Sequence, residues 1–183
     1  MTKHGLLVAL GLLAASFALP ASAQLDRSAF YLGGSLGRSH FTDLCVNAMP
    51  ECKDRDTEWS MFGGMQFNPY FGAEIGYRDF GHGTRNTFDY KANASEIDLV
   101  ASYPMRGGLG LIGRLGLYHG KLKGGGAEER KSNATFGWGV FYDFTPTAGM
   151  RFEYQRYMNA GGGDLGFQTH IDSVSLGAVL RFR

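Results

Sequence analysis

Apolar residues recur at every second position through eight separate segments of this 183-residue chain. Successive side chains of a strand point to opposite faces, so a period of two predicts β-strands rather than helices. The segments are 30–41, 59–67, 71–81, 94–105, 109–123, 133–144, 148–159 and 169–183. Two kinds of connection alternate between them. Long polar stretches (42–58, 82–93, 124–132, 160–168) take turns with tight ones built on Asn68-Pro69-Tyr70, Arg106-Gly107-Gly108 and Thr145-Pro146-Thr147. In an up-and-down barrel, odd connections lie at one rim and even ones at the other. Long loops outside and short turns at the periplasmic rim are the outer-membrane arrangement.

The two faces of these segments differ in kind. One carries Ile97, Leu99, Ala101 and Tyr103 in the fourth, Phe136, Trp138, Val140 and Tyr142 in the sixth, and Val174, Leu176, Ala178 and Leu180 in the last. The other carries Glu74, Arg78, Glu96, Asp98, Arg114, Asp143, Arg151, Glu153 and Arg181, interspersed with Gly and Ser. A solvated outer surface favours Lys, Glu and Thr over this much glycine (28 residues). A narrow eight-stranded lumen has room for side chains and little else, and charges placed there must be paired. The expectation is lipid outside and a ladder of Arg–carboxylate pairs inside that plugs the barrel. A wide porin is excluded by size.

Composition agrees. Glycine inside helices costs about 1 kcal/mol relative to Ala, which disfavours a helical bundle. The 14 Phe and 9 Tyr disfavour disorder. Net charge is +1, with no basic patch to mark a nucleic-acid partner. At the N-terminus, Lys3 precedes the apolar run Gly5–Leu19, Pro20 breaks it, and Ala21-Ser22-Ala23 has the small-x-small pattern of signal cleavage. The run is shorter than the roughly 20 residues of a membrane helix. Residues 1–23 therefore read as a cleaved secretory signal peptide and 24–183 as the barrel domain. Export permits disulfides, and the only cysteines, Cys45 and Cys52, share the first long loop. One bridge between them is expected. That loop also holds Asp43, Glu51, Asp54, Asp56 and Glu58 against Lys53 and Arg55, the signature of a solvated acidic loop.

A family resemblance rests on two stretches. In the last nine residues, Ser175, Gly177, Leu180 and Phe182 fall on the polar, glycine, hydrophobic and aromatic positions of the terminal strand of bacterial outer-membrane barrels, with Arg183 after the aromatic. Gly137 to Tyr157 (GWGVFYDFTPTAGMRFEYQRY) resembles the OmpA-like transmembrane domain, in which a Gly-rich aromatic strand, a Thr-Pro turn and a Glu/Tyr/Arg strand follow one another. The resemblance covers essentially the whole of 24–183. It implies an integral protein of the outer membrane, contact with its lipid and lipopolysaccharide, and delivery by the barrel assembly machinery. Loops 42–58, 82–93, 124–132 and 160–168 would meet host or cell-surface ligands. Full-length proteins of the family add a peptidoglycan-binding domain, an activity that residues 24–183 do not imply.

Catalysis finds little support. Gln155-Arg156-Tyr157-Met158-Asn159-Ala160 is superficially similar to the His-x-Ser-Asn-Ala segment of outer-membrane lipid A deacylases, but Arg156 and Met158 replace base and nucleophile. His170 and Ser173 lie on opposite faces of a strand, and no His/Asp/Ser set suits palmitoyl transfer. His82, His119 and His170 are isolated, and neither Gly124–Gly126 nor Gly161–Gly163 precedes a phosphate-binding helix. No cofactor or metal is expected. The function expected is structural, for envelope integrity and surface interaction. The alternative is a narrow ion pore or small-molecule conduit gated by opening the ladder.

Overall fold

The computed structural model describes residues 29–42, 52–85, 88–124, 127–161 and 168–182. Its eight long strands are β1 (Ala29–Phe41), β2 (Arg55–Gln66), β3 (Phe71–Arg85), β4 (Phe88–Pro104), β5 (Leu109–Gly124), β6 (Ala127–Asp143), β7 (Ala148–Gly161) and β8 (Gln168–Phe182). Each pairs antiparallel with its neighbour in sequence, and β1 pairs with β8 from Phe30↔Phe182 to Phe41↔Ile171. The sheet therefore closes into an eight-stranded antiparallel up-and-down barrel, which removes every long free edge. A two-residue strand, Cys52–Lys53, adds to the far end of β3.

Each tight turn has its own chemistry. After β2, the Asn68 side-chain oxygen accepts hydrogen bonds from the Tyr70 and Phe71 amides at 2.8 and 2.9 Å. After β4, Gly107 and Gly108 take positive φ (76° and 83°), which an L side chain resists. After β6, Thr145 Oγ1 accepts from the Ala148 amide at 2.9 Å. All three turns share the periplasmic rim with the start of β1 and the end of β8.

The apolar face points outward. Leu36 is 67% exposed, Ile75 66% and Leu99 64%. An unbroken band of such residues is stable only in hydrocarbon. Aromatic pairs mark its extracellular edge: Trp59 with Tyr77 (5.7 Å between centroids) and Trp138 with Tyr154 (6.0 Å). Tyr103, Tyr142, Phe144 and Phe182 lie toward the periplasmic edge. Such girdles suit the amphipathic boundary of a bilayer.

All four long connections are shorter than the sequence indicates. The ladder continues through much of 82–93 and 124–132, with β3 running to Arg85, β4 starting at Phe88, β5 ending at Gly124 and β6 starting at Ala127. Likewise β7 and β8 extend to Gly161 and from Gln168, and β2 starts at Arg55, inside the segment assigned to loop 42–58. Beyond the bilayer the outer face meets water, so the apolar alternation fades while backbone pairing persists. Lys121↔Arg130 and Lys123↔Glu128 are such solvated cross-strand neighbours. Register shifts occur at this boundary, one at Asp79/His82 with Gly81 at φ 75° and one at Tyr157/Ala160 with Asn159 at φ 49°.

Candidate functional site

Inside the barrel, a belt of charged side chains lies between two apolar layers. At its centre, Arg114 of β5 places Nη2 2.7 Å from Glu74 Oε2 and 2.8 Å from Asp98 Oδ2, and Nη1 3.1 Å from Glu153 Oε1. Arg151 of β7 donates to Glu74 Oε1 at 2.6 Å, as does the Tyr31 hydroxyl at 2.6 Å. The Arg151 guanidinium also lies 5.1 Å from the ring centroids of Tyr31 and Phe62. Two inward glycines make room: a Cβ at Gly116 would strike the Asp98 carboxylate, and one at Gly64 the Tyr31 ring.

Arg78 of β3 organises the extracellular half of the belt. Its Nη1 donates to Glu58 Oε1 at 2.9 Å and Ser173 Oγ at 3.0 Å, and its Nη2 to Gln155 Oε1 at 3.1 Å. Gln155 in turn donates to Glu96 Oε2 (3.2 Å) and Thr135 Oγ1 (3.1 Å). The Tyr157 hydroxyl donates to Glu96, and Ser173 to Glu58. Arg114 and Glu74 side chains are 1% and 0% exposed. In so dry a setting an ion pair is costly to form and costlier to break from one side.

All nine charged residues expected in the lumen occupy inward positions, but they do not form one balanced ladder. Asp143 and Arg181 make a separate pair at the periplasmic rim (2.7 Å). The buried belt instead has five carboxylates (Glu58, Glu74, Glu96, Asp98, Glu153) against three guanidinia (Arg78, Arg114, Arg151). Glu58 is the addition. Assigned by sequence to a solvated loop, it is 0% exposed and in register with Gly37. The parity of Glu58, Ser60, Phe62 and Gly64 against Trp59 and Met61 carries that information.

The lumen also holds large apolar residues that a face of glycine, serine and charge does not lead one to expect. On the extracellular side Phe41, Phe80, Ala92, Ala94, Tyr118, Leu122, Ala160 and Ile171 cluster around Tyr157. Phe80 and Tyr118 pack edge-on against the Tyr157 ring, with centroids 4.7 and 5.3 Å away. On the periplasmic side sit Tyr31, Phe62 and Val179, and beside them Val100, Ile112 and Phe141. Charge is enclosed from both ends.

Other expected sites are placed as follows. Ser175 and Gly177 face inward opposite Gly37 and Ser35, whereas Leu180 and Phe182 face outward. Arg156 faces outward and forks onto Asp172 at 2.6 and 2.7 Å, with Tyr154 donating to the same carboxylate. Ala21, Ala23, Cys45 and Arg183 lie outside the described residues, as does the Cys52 side chain. Among the described residues, no group of three or more His, Cys, Asp or Glu is placed to hold a metal ion.

Closed topology, outward apolar band and charged lumen together describe a small membrane barrel, and the comparisons with known proteins agree. The family model of the OmpA-like transmembrane domain matches residues 25–183. The chain belongs to that family. It is an integral protein of the bacterial outer membrane. Outer membrane protein A of Escherichia coli O157:H7 is 30% identical over 193 residues, covering 100% of this chain and 55% of the relative. The chain thus spans about half the length of the curated relatives it matches. Among solved structures, Neisserial surface protein A superposes with TM-score 0.62 at 15% identity, over 85% of this chain and 100% of that one. Ail of Yersinia pestis, in complex with the heparin analogue sucrose octasulfate, superposes with TM-score 0.56 at 16% identity, over 85% and 99%. These two likenesses concern the fold.

Proposed function

We propose that this OmpA-like domain is a non-enzymatic barrel that contributes to envelope integrity and presents an interaction surface outside the cell. The observation that supports the reading is the charged belt lying between two apolar layers inside the barrel, an arrangement that on this reading leaves solutes no polar path. Export by a signal peptide cleaved after Ala23 belongs to the reading, supported by the small-x-small pattern and a family match that starts at residue 25. So do the Cys45–Cys52 bridge in the first loop and recognition of Ser175, Gly177, Leu180 and Phe182 by the barrel assembly machinery. Its outward side chains meet membrane lipid and lipopolysaccharide. The interaction surface comprises the extracellular strand extensions and the residues between them. In one of these, Lys121, Lys123 and Arg130 converge on the single carboxylate of Glu128 at 2.8, 3.0 and 3.0 Å. That local excess of positive charge suits a polyanionic partner.

Deleting the chain in its native cell tests this reading. The expected result is greater entry of large antibiotics and weaker retention on immobilised heparin, with uptake of small nutrients unchanged. A defect confined to small-solute uptake would overturn it in favour of the second reading, a narrow pore. That alternative draws on the belt, where Arg114 is held by three carboxylates and an acid excess would favour cations. It requires Arg114→Ala or Glu153→Ala to raise conductance.

A further inference from the structure

The charges of the belt separate into two sets that share no ion pair. Around Arg78 the carboxylates are Glu58, at 2.9 Å, and Glu96, at 3.8 Å. Around Arg114 and Arg151 they are Glu74, Asp98 and Glu153. Among the described residues each set therefore holds one carboxylate more than its guanidinia, on side chains at most 7% exposed. Tyr31 and Tyr157 are the other titratable side chains facing the belt, and both donate hydroxyls to its acids. The acids do not gather: among the described residues no three are placed to hold a metal ion. Charge left without a partner in so dry a place is costly, and a carboxylate there is neutralised by a proton rather than kept ionised.

The hydrogen bonds show where such protons would sit. Asp98 meets Arg114 through Oδ2, while its buried Oδ1 accepts nothing among the described residues. Glu74, by contrast, is held by Arg114, Arg151 and Tyr31, and both oxygens of Glu153 accept from Arg114. In the other set, Glu58 Oε2 accepts nothing, and Glu96 approaches Arg78 only to 3.8 Å. Two acids competing for one guanidinium titrate as a pair.

We propose that the folded barrel binds two protons in its lumen at neutral pH, one at Asp98 and one shared between Glu58 and Glu96, which makes the belt electrically neutral. The inference rests on the burial and charge count of the belt and on neither role of the barrel. In the unfolded chain the same carboxyls ionise at their ordinary values of about 4. Folding then takes up two protons, and the stability they contribute is present in full at low pH and lost as pH rises.

Urea unfolding of the full chain in lipid vesicles, from about pH 6 to about pH 8, tests it. The folding constant of the wild type should fall about hundredfold per pH unit, about tenfold for each proton carried. Asp98→Asn and Glu58→Gln place neutral isosteres in the two sets. Each should reduce the fall to about tenfold, and the double variant should abolish it. Glu128→Gln, on the solvated outer face, should leave the wild-type dependence unchanged. Should the belt variants fail to fold, infrared spectra of the wild type decide: the C=O stretch of a protonated carboxyl should be present at pH 7 in the folded barrel and vanish on unfolding. A folding constant that is flat or rises with pH, an unchanged fall in both single variants, or the absence of that band from the folded wild type would overturn the proposal.

Discussion

Arg114 shows how a single side chain ties distant parts of the chain together. From β5 it reaches Glu74 on β3, Asp98 on β4 and Glu153 on β7. Arg114→Ala leaves those acids without their common partner and should cost about 3–5 kcal/mol, read from urea unfolding in lipid vesicles. Arg114→Lys restores a charge but loses the planar fork, so it should recover only part of that loss. Glu58→Ala should destabilise comparably by stranding Arg78, whereas a surface loop acid would give a change within about 0.5 kcal/mol. That contrast tests a residue whose burial was not evident beforehand. Glu58 follows the charged run Lys53-Asp54-Arg55-Asp56, and charge density is a poor guide to burial when the next strand has already begun. Strand parity was the better guide. It placed Glu74, Arg78, Glu96, Asp98, Arg114, Arg151 and Glu153 on the inner face, because lipid enforces the alternation on the outer one.

At the level of strands, legibility ended where the membrane does. Between the girdles the outer face must be apolar, so period and strand coincide. Beyond them β5 and β6 remain paired with water on the outer side, and only the charged neighbours Lys121, Arg130, Lys123 and Glu128 record it. Hydrogen bonds from Lys121, then Lys123 and Arg130, hold the Glu128 carboxyl down at about 2. A lowered carboxyl favours the folded hairpin above the ordinary carboxylate range, and that contribution fades as pH falls toward 2. The Glu128 side-chain carboxyl carbon should therefore show no protonation shift between pH 7 and 4 by NMR, and in Lys121→Ala its midpoint should move upward. The inner face of the same extensions carries the apolar cluster around Tyr157. Phe80→Ala should open a cavity beside Tyr157 and cost about 3–5 kcal/mol in the same vesicle unfolding assay. Periodicity could assign Phe80, Tyr118 and Tyr157 to a face of their own strands, but not show that they meet across the lumen.

As a whole, the molecule resembles a soluble protein turned inside out along its wall, with hydrocarbon outside and salt bridges within. Its interior is nevertheless stratified, with apolar, charged and apolar layers stacked along the barrel axis. The belt accounts for the register of strands that are far apart in sequence. In the proposed function the apolar layers close the lumen to solutes, so opening the belt alone should leave the barrel sealed. The closed ladder should also make the folded form resistant to SDS until heated, with a mobility shift on boiling. Single-channel recording in planar bilayers tests the sealed lumen most directly. The account predicts no stable conductance from the wild type or from Arg114→Ala, and openings only when Arg114→Ala is combined with Phe80→Ala. Stable channels from the wild-type barrel, or from Arg114→Ala alone, would contradict it.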